Sequence, residues 1–154
     1  MMMHLCSEVL QALQGKSLAT AESCTGGGIG AAITAVPGSS RVYKGGVVSY
    51  TNAVKESVLG VDPGTLEKHG AVSAPVAEEM AAGVRVLLKA DVAVSITGLA
   101  GPDGDDFGNP VGTVYIGYAD EKGCLSRRYC FSGDREQIRR QGVTAALELI
   151  LEMQ

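Results

Sequence analysis

The period of the apolar positions changes along the chain, and each change marks an element. Leu5, Val9 and Leu13 recur every fourth residue, which predicts a helix over 5–13. Ser17–Ala21 reads as a short strand, Glu22–Gly28 as a glycine-rich turn, and Ile29–Val36 as a helix ended by Pro37-Gly38. Gly46–Tyr50 is the next predicted strand. Thr51 is placed to cap a helix over Asn52–Leu59, with Gly60 as its stop. Asp62-Pro63-Gly64 turns into a short helix. Ser73 then caps a long one with Val76, Met80, Val84, Leu87 and Leu88 on one face. Val92–Thr97 predicts a strand, followed by the Gly-, Pro- and Asp-rich segment Gly98–Pro110, a loop of the length that usually carries function. Thr113–Ala119 and Cys124–Phe131 form a hairpin turned at Asp120–Gly123. Asp134 with Gln137 makes a capping box for a last helix carrying Ile138, Ala145, Leu149 and Ile150.

Strands alternating with helices and closed by one hairpin predict an α/β protein: a three-layer α/β/α sandwich whose sheet is mixed and mostly parallel. The whole chain, 1–154, is expected to be a single domain, long enough to bury a core without disulfides or metals. Composition narrows the function classes. A net charge of −4 argues against a broad nucleic-acid-binding face. No apolar run approaches the roughly 20 residues of a membrane span, and Met1–His4 lacks the basic lead of a signal peptide. Cys6, Cys24, Cys124 and Cys130 form no C-x-x-C pair and read as reduced thiols of a cytoplasmic protein. His4 and His69 lie too far apart to make a helical ligand pair, so no metal is expected. Many of the 21 glycines cluster between apolar runs, which suggests backbone brought close to a ligand.

The densest chemical signal is Thr20-Ala21-Glu22-Ser23-Cys24-Thr25-Gly26-Gly27-Gly28, at a strand-to-helix junction. Free N–H groups and the positive helix end converge there, so a serine hydroxyl has donors nearby that can hold an oxyanion. A tight turn in which Ser23 only caps the helix explains the same residues. No Gly-Lys-Ser/Thr follows, which excludes a Walker loop. Ala21 and Thr25 stand where a G-x-S-x-G elbow needs glycines, and Gly26–Gly30 lacks the full dinucleotide fingerprint. Cys24 is a rival nucleophile, although neighbouring turn residues point in different directions.

Neither histidine falls near a predicted strand end, so a serine nucleophile needs another base. Lysine serves when its pKa is lowered. Lys55 sits in the first turns of the helix capped by Thr51, where the dipole and partial burial both disfavour an ammonium; a solvated surface lysine is the alternative. Thr97-Gly98-Leu99-Ala100-Gly101-Pro102-Asp103-Gly104 at the next strand end offers a pocket wall, or only a turn. Arg135 and Arg139 at the start of the last helix are candidate phosphate binders, one of them equally an ordinary surface charge.

Together with Pro37-Gly38-Ser39-Ser40, Gly45–Asn52, Gly70-Ala71-Val72-Ser73 and Pro110–Val114, these stretches resemble the CinA C-terminal-domain family in order and spacing, from about Leu18 to Arg140. That family includes stand-alone nicotinamide-nucleotide amidohydrolases. The resemblance implies a three-layer fold and hydrolysis of nicotinamide mononucleotide to nicotinate mononucleotide and ammonia. It implies a Ser23–Lys55 dyad with Tyr50 beside it, working through an acyl-enzyme and without a cofactor. Thr25, Gly26, Gly27, Ser39, Ser40, Thr97, Gly98, Arg135 and Arg139 are the expected substrate contacts. The N–H groups of Cys24–Gly28 are expected to hold the oxyanion, and the helix start at Gly28, with Arg135, the phosphate. Expected partners are a small nucleotide and further copies of the chain in a homo-oligomer, with neither nucleic acid nor membrane. Asp105 departs from a glycine common in the family, which puts the loop's shape in question. Longer members carry an N-terminal pyrophosphatase-type domain with no counterpart in these residues. A nucleotide-binding module without catalysis, or an amidase for another small amide, are the rival readings.

Overall fold

The computed structural model describes residues 1–154. Its strands are β1 (Leu18–Glu22), β2 (Tyr43–Val48), β3 (Val92–Gly98), β4 (Thr113–Asp120) and β5 (Gly123–Cys130), in the order β2-β1-β3-β4-β5. β1 pairs in parallel with β2 and β3, β4 runs antiparallel to β3, and β5 antiparallel to β4, so four of the five strands share one direction. The helices are α1 (Met2–Ala12), α2 (Gly28–Thr34), α3 (Asn52–Ser57), α4 (Pro63–His69), α5 (Ala74–Leu88) and α6 (Arg135–Glu152), with a single 3-10 turn at Ser39–Arg41.

Strand alternation divides the interior into two cores. Leu18, Val92, Val94, Ile96, Val114 and Ile116 pack with Cys6 and Val9 of α1, Ile29 and Ile33 of α2, and Ile138, Leu147 and Ile150 of α6. Ala19, Ala21 and Ala93 face the other way, onto Val76, Met80 and Val84 of α5. Helices thus cover both faces of the mixed sheet, giving the expected three-layer α/β fold. Small residues let α5 lie close on its side. Ser95 Oγ donates to the Ala77 carbonyl, and a Cβ on Gly117 would fall 2.2 Å from that same oxygen.

β2 contains one extra residue. Leu18 pairs with Tyr43 but Ala19 with Gly45, leaving Lys44 without a counterpart, and Gly45 takes φ +146°. The parity of the strand flips at this bulge. Tyr43 packs with the α2 side, its hydroxyl 2.7 Å from Thr20 Oγ1, whereas Val47 packs with the α5 side. The flip hides the period, so the strand begins at Tyr43 rather than at the Gly46 the sequence suggests.

Local signals set most boundaries. Thr51 Oγ1 accepts from the Val54 amide, Asp62 caps α4, and Asp134 and Gln137 cap reciprocally. Three details differ from the sequence reading. Ser73 holds the N-cap position of α5, but its hydroxyl donates to the Gly70 carbonyl instead of to the helix amides. Leu87 is exposed, whereas Leu88 beside it is half-buried against the cluster of Val76, Met80 and Val84. α1 also starts earlier, at Met2. All four cysteines are free, and no helix is long and apolar enough to cross a membrane.

Candidate active site

The C-terminal ends of the parallel strands β1, β2 and β3 lie side by side, the place where open α/β sheets bind ligands. Past β1, the Ser23 amide donates to the Ile96 carbonyl; past β2, the Ser49 amide donates to the Glu22 carbonyl. These two bonds prolong the sheet by a step and lock Ser23 beside Ser49 and Tyr50. The chain then turns through Gly26 and Gly27, at φ +59° and +105°, into α2.

Glu22 fixes this turn, a role the sequence reading missed. It is buried, and its carboxylate accepts the Thr25 hydroxyl and the amides of Ile29 and Gly30, the latter two at 2.8 and 3.0 Å. The N-terminus of α2 is therefore filled by an anion from the preceding strand. The expectation of a substrate phosphate at the Gly28 helix start is corrected accordingly, because the donors it needs are engaged. Arg139 clasps the turn from the opposite side, Nε donating to the Cys24 carbonyl and Nη2 to the Thr25 carbonyl, each at 3.1 Å.

Lys55, on α3, is 1% exposed. Its Nζ is 3.1 Å from Ser23 Oγ, 2.8 Å from the Ser49 carbonyl and 3.3 Å from the Tyr50 carbonyl. No carboxylate pairs with it. Burial without a counter-ion pushes its pKa down to about 8; a Cys24 thiolate would oppose that shift. No thiolate forms near neutral pH, since burial pushes the Cys24 thiol up to about 12. That same burial weakens Cys24 as a rival nucleophile.

Ser23 and Lys55 open into a cavity of about 450 Å³, whose wall includes Cys24, Tyr50, Asn52, Thr97, Gly98, Phe107 and Arg135. Asp103, Asp105 and Asp106 line it as well. Tyr50 meets Lys55 through its carbonyl, while its hydroxyl, on a 57% exposed side chain, accepts from Arg135 Nη2 at 3.1 Å. Arg135 also donates to the Gly101 carbonyl. Thr97 Oγ1 donates to the Ala71 carbonyl and so joins β3 to the segment before α5.

Of the residues expected to contact substrate, Thr97, Gly98 and Arg135 line this cavity. Thr25, Gly26, Gly27, Ser39, Ser40 and Arg139 do not. Thr25 turns inward to Glu22, Gly26 and Gly27 shape the turn, Arg139 holds it from behind, and Ser39 and Ser40 belong to the 3-10 turn ahead of β2. Within the Cys24–Gly28 turn, the Gly26 and Gly28 amides donate to the Ser23 and Thr25 carbonyls, whereas those of Cys24 and Thr25 donate to no acceptor in the chain. No group of three or more His, Cys, Asp or Glu side chains is placed to hold a metal.

A family model described as CinA C-terminal domain matches residues 2–154. The nicotinamide-nucleotide amidohydrolase PncC of Escherichia coli K12 is 47% identical over 152 residues, covering 97% of this chain and 92% of that protein. A CinA-like protein of Acaryochloris marina is 52% identical over 137 residues, 88% of this chain but 33% of that longer protein. Among solved structures, a competence-damaged protein (CinA) superfamily protein from Escherichia coli has a TM-score of 0.97 at 35% identity, covering 100% of this chain and 91% of that one. The competence damage-inducible protein A (ComA) of Klebsiella pneumoniae has a TM-score of 0.96 at 38% identity, covering 98% and 95%.

Proposed function

Because the chain belongs to the CinA C-terminal-domain family, we propose that it is an amidohydrolase that removes ammonia from nicotinamide mononucleotide, with Ser23 as nucleophile and Lys55 as base. The observation that carries this reading is the Lys55 amine, buried without a counter-ion and 3.1 Å from Ser23 Oγ. A neutral amine has two N–H donors and one lone pair. The Ser49 and Tyr50 carbonyls take the two hydrogens, which leaves the lone pair for the Ser23 proton. An ammonium would instead aim a third N–H at Oγ and could not accept that proton. With a pKa of about 8, roughly a tenth of the lysine is neutral at pH 7 and half at pH 8.

Ser23 Oγ attacks the carboxamide carbon as Lys55 takes its proton. The oxyanion so formed is held by the unengaged amide of Cys24, which lines the cavity. Collapse breaks the C–N bond, Lys55 returns its proton to the departing nitrogen, and ammonia leaves a nicotinoyl ester on Ser23. Water, deprotonated by Lys55, then adds to the ester, and Ser23 departs with the proton restored. Arg135, at the cavity wall, supplies the cation for the substrate phosphate. The 47% identity to the nicotinamide-nucleotide amidohydrolase of Escherichia coli supports the choice of substrate.

The test is ammonia release by the purified protein from nicotinamide mononucleotide, set against free nicotinamide. Release from the nucleotide, abolished in a folded Ser23→Ala protein, is the expected result. Normal turnover by Ser23→Ala removes the serine mechanism, and no release from the nucleotide removes the substrate.

A further inference from the structure

The connection between β3 and β4 presents one aromatic side chain to the cavity, and no step above uses it. Phe107 is 49% exposed and lines the same cavity as Ser23 and Lys55. Its ring is held in place. One side rests on Gly70, where an added Cβ would come within 2.6–3.0 Å of three ring atoms. The backbone around it is pinned by Asp105, whose Oδ1 accepts the amides of Phe107 and Asn109 and whose Oδ2 accepts Asn109 Nδ2. Asn109 Nδ2 also donates to the Val72 carbonyl, tying the loop to the segment before α5. Asp105 is thus the hub that presents the ring. Asp103 and Asp106 line the cavity without an ion-pair partner. A fixed π face in a cavity of surplus negative charge suits a flat ring that bears a positive charge.

We propose that Phe107 is a specificity-determining residue, a platform that stacks on a cationic aromatic ring such as the pyridinium of an N-ribosylated nicotinamide and selects it over an uncharged ring. The proposal rests on the nicotinamide-nucleotide reading above, and it is tested by binding so that the two stand or fall separately. Dissociation constants are measured calorimetrically for oxidised and reduced nicotinamide mononucleotide in a Ser23→Ala background, so that neither is consumed during the titration. The reduced form keeps the carboxamide, ribose and phosphate but carries an uncharged dihydropyridine ring.

With Phe107 in place, this background is expected to bind the oxidised form on the order of tenfold more tightly. Phe107→Leu keeps apolar bulk without a π face and is expected to bring the two constants within about twofold. Phe107→Tyr is expected to retain the preference. Preference for the mononucleotide over the riboside, which reads the phosphate, stays unchanged in both variants. A ratio near one with Phe107 in place, no binding of the oxidised nucleotide, or an undiminished ratio in Phe107→Leu overturns the platform. If the ratio is found in this background but the protein with Ser23 intact releases no ammonia, the platform stands and the amidohydrolase reading is lost.

Discussion

Replacing Lys55 with methionine converts a statement about protonation into one about stability. Burial holds the ammonium at about 8 instead of 10.5, and one unit corresponds to about 1.36 kcal/mol. Roughly 3 kcal/mol of native stability is therefore withheld while the lysine is charged. The folded protein releases this proton at lower pH than the unfolded chain does. Between about pH 8 and 10.5 the unfolded state holds more protons, so stability climbs with pH across that window. Below about 8 the penalty is present in full. Lys55→Met has nothing to titrate at this position, and every other titration is common to both proteins. Leaving the Ser49 and Tyr50 carbonyls unpaired costs about 1–3 kcal/mol each, but that cost displaces the difference curve without bending it. Urea unfolding of both proteins from pH 7 to 10.5 is the assay. The parent is expected to gain about 3 kcal/mol on the variant, and its kcat/KM should rise to a plateau above about pH 8. A difference that stays flat with pH refutes the depressed lysine, and the base with it.

Arg135→Ala is expected to raise KM for the mononucleotide on the order of tenfold, by loss of charge-assisted hydrogen bonds, with the riboside unaffected; steady-state kinetics on both substrates checks this. Glu22→Ala leaves a hydroxyl and two amides of the turn without their acceptor, and urea unfolding should show a loss of about 3 kcal/mol or more. Gly117→Ala pushes a methyl against the Ala77 carbonyl. Its cost should be about 1–3 kcal/mol, read from the same unfolding curves.

The sequence was most legible where one residue determines one local geometry. Thr51, Asp62, Asp134 and Gln137 act within three or four residues of themselves, so their spacing suffices. The tight hairpin, with Asp120 facing Gly123, is of the same kind. The Ser23 turn and Lys55 were also picked out, although they meet only because β1 and β2 pair, a contact spanning 32 residues. What could not be read was the direction of polar side chains. Thr25 and Arg139 sit in the right stretches yet serve the turn itself, because Glu22 draws one inward and the Cys24 and Thr25 carbonyls hold the other. Glu22 left a faint trace: it shares the strand face of Leu18 and Thr20 and is buried like them. Phe107 left none, since its place depends on how Asp105 folds the loop.

The unpaired Lys44 in β2 acts as a one-residue offset for everything downstream of it. Were Lys44 paired with Ala19 instead of bulged, Ser23 would stand opposite Val48 rather than Ser49. The carbonyls that receive the lysine hydrogens would slip by about 3.3 Å along the strand and turn toward the other face of the sheet. Such a chain could keep every helix and nearly all of its sheet pairing, and circular dichroism would scarcely tell the two apart. Turnover would. Specific activity in refolded material therefore counts the molecules whose edge strand has closed in the right register, a stricter gauge of correct folding than any measure of secondary structure.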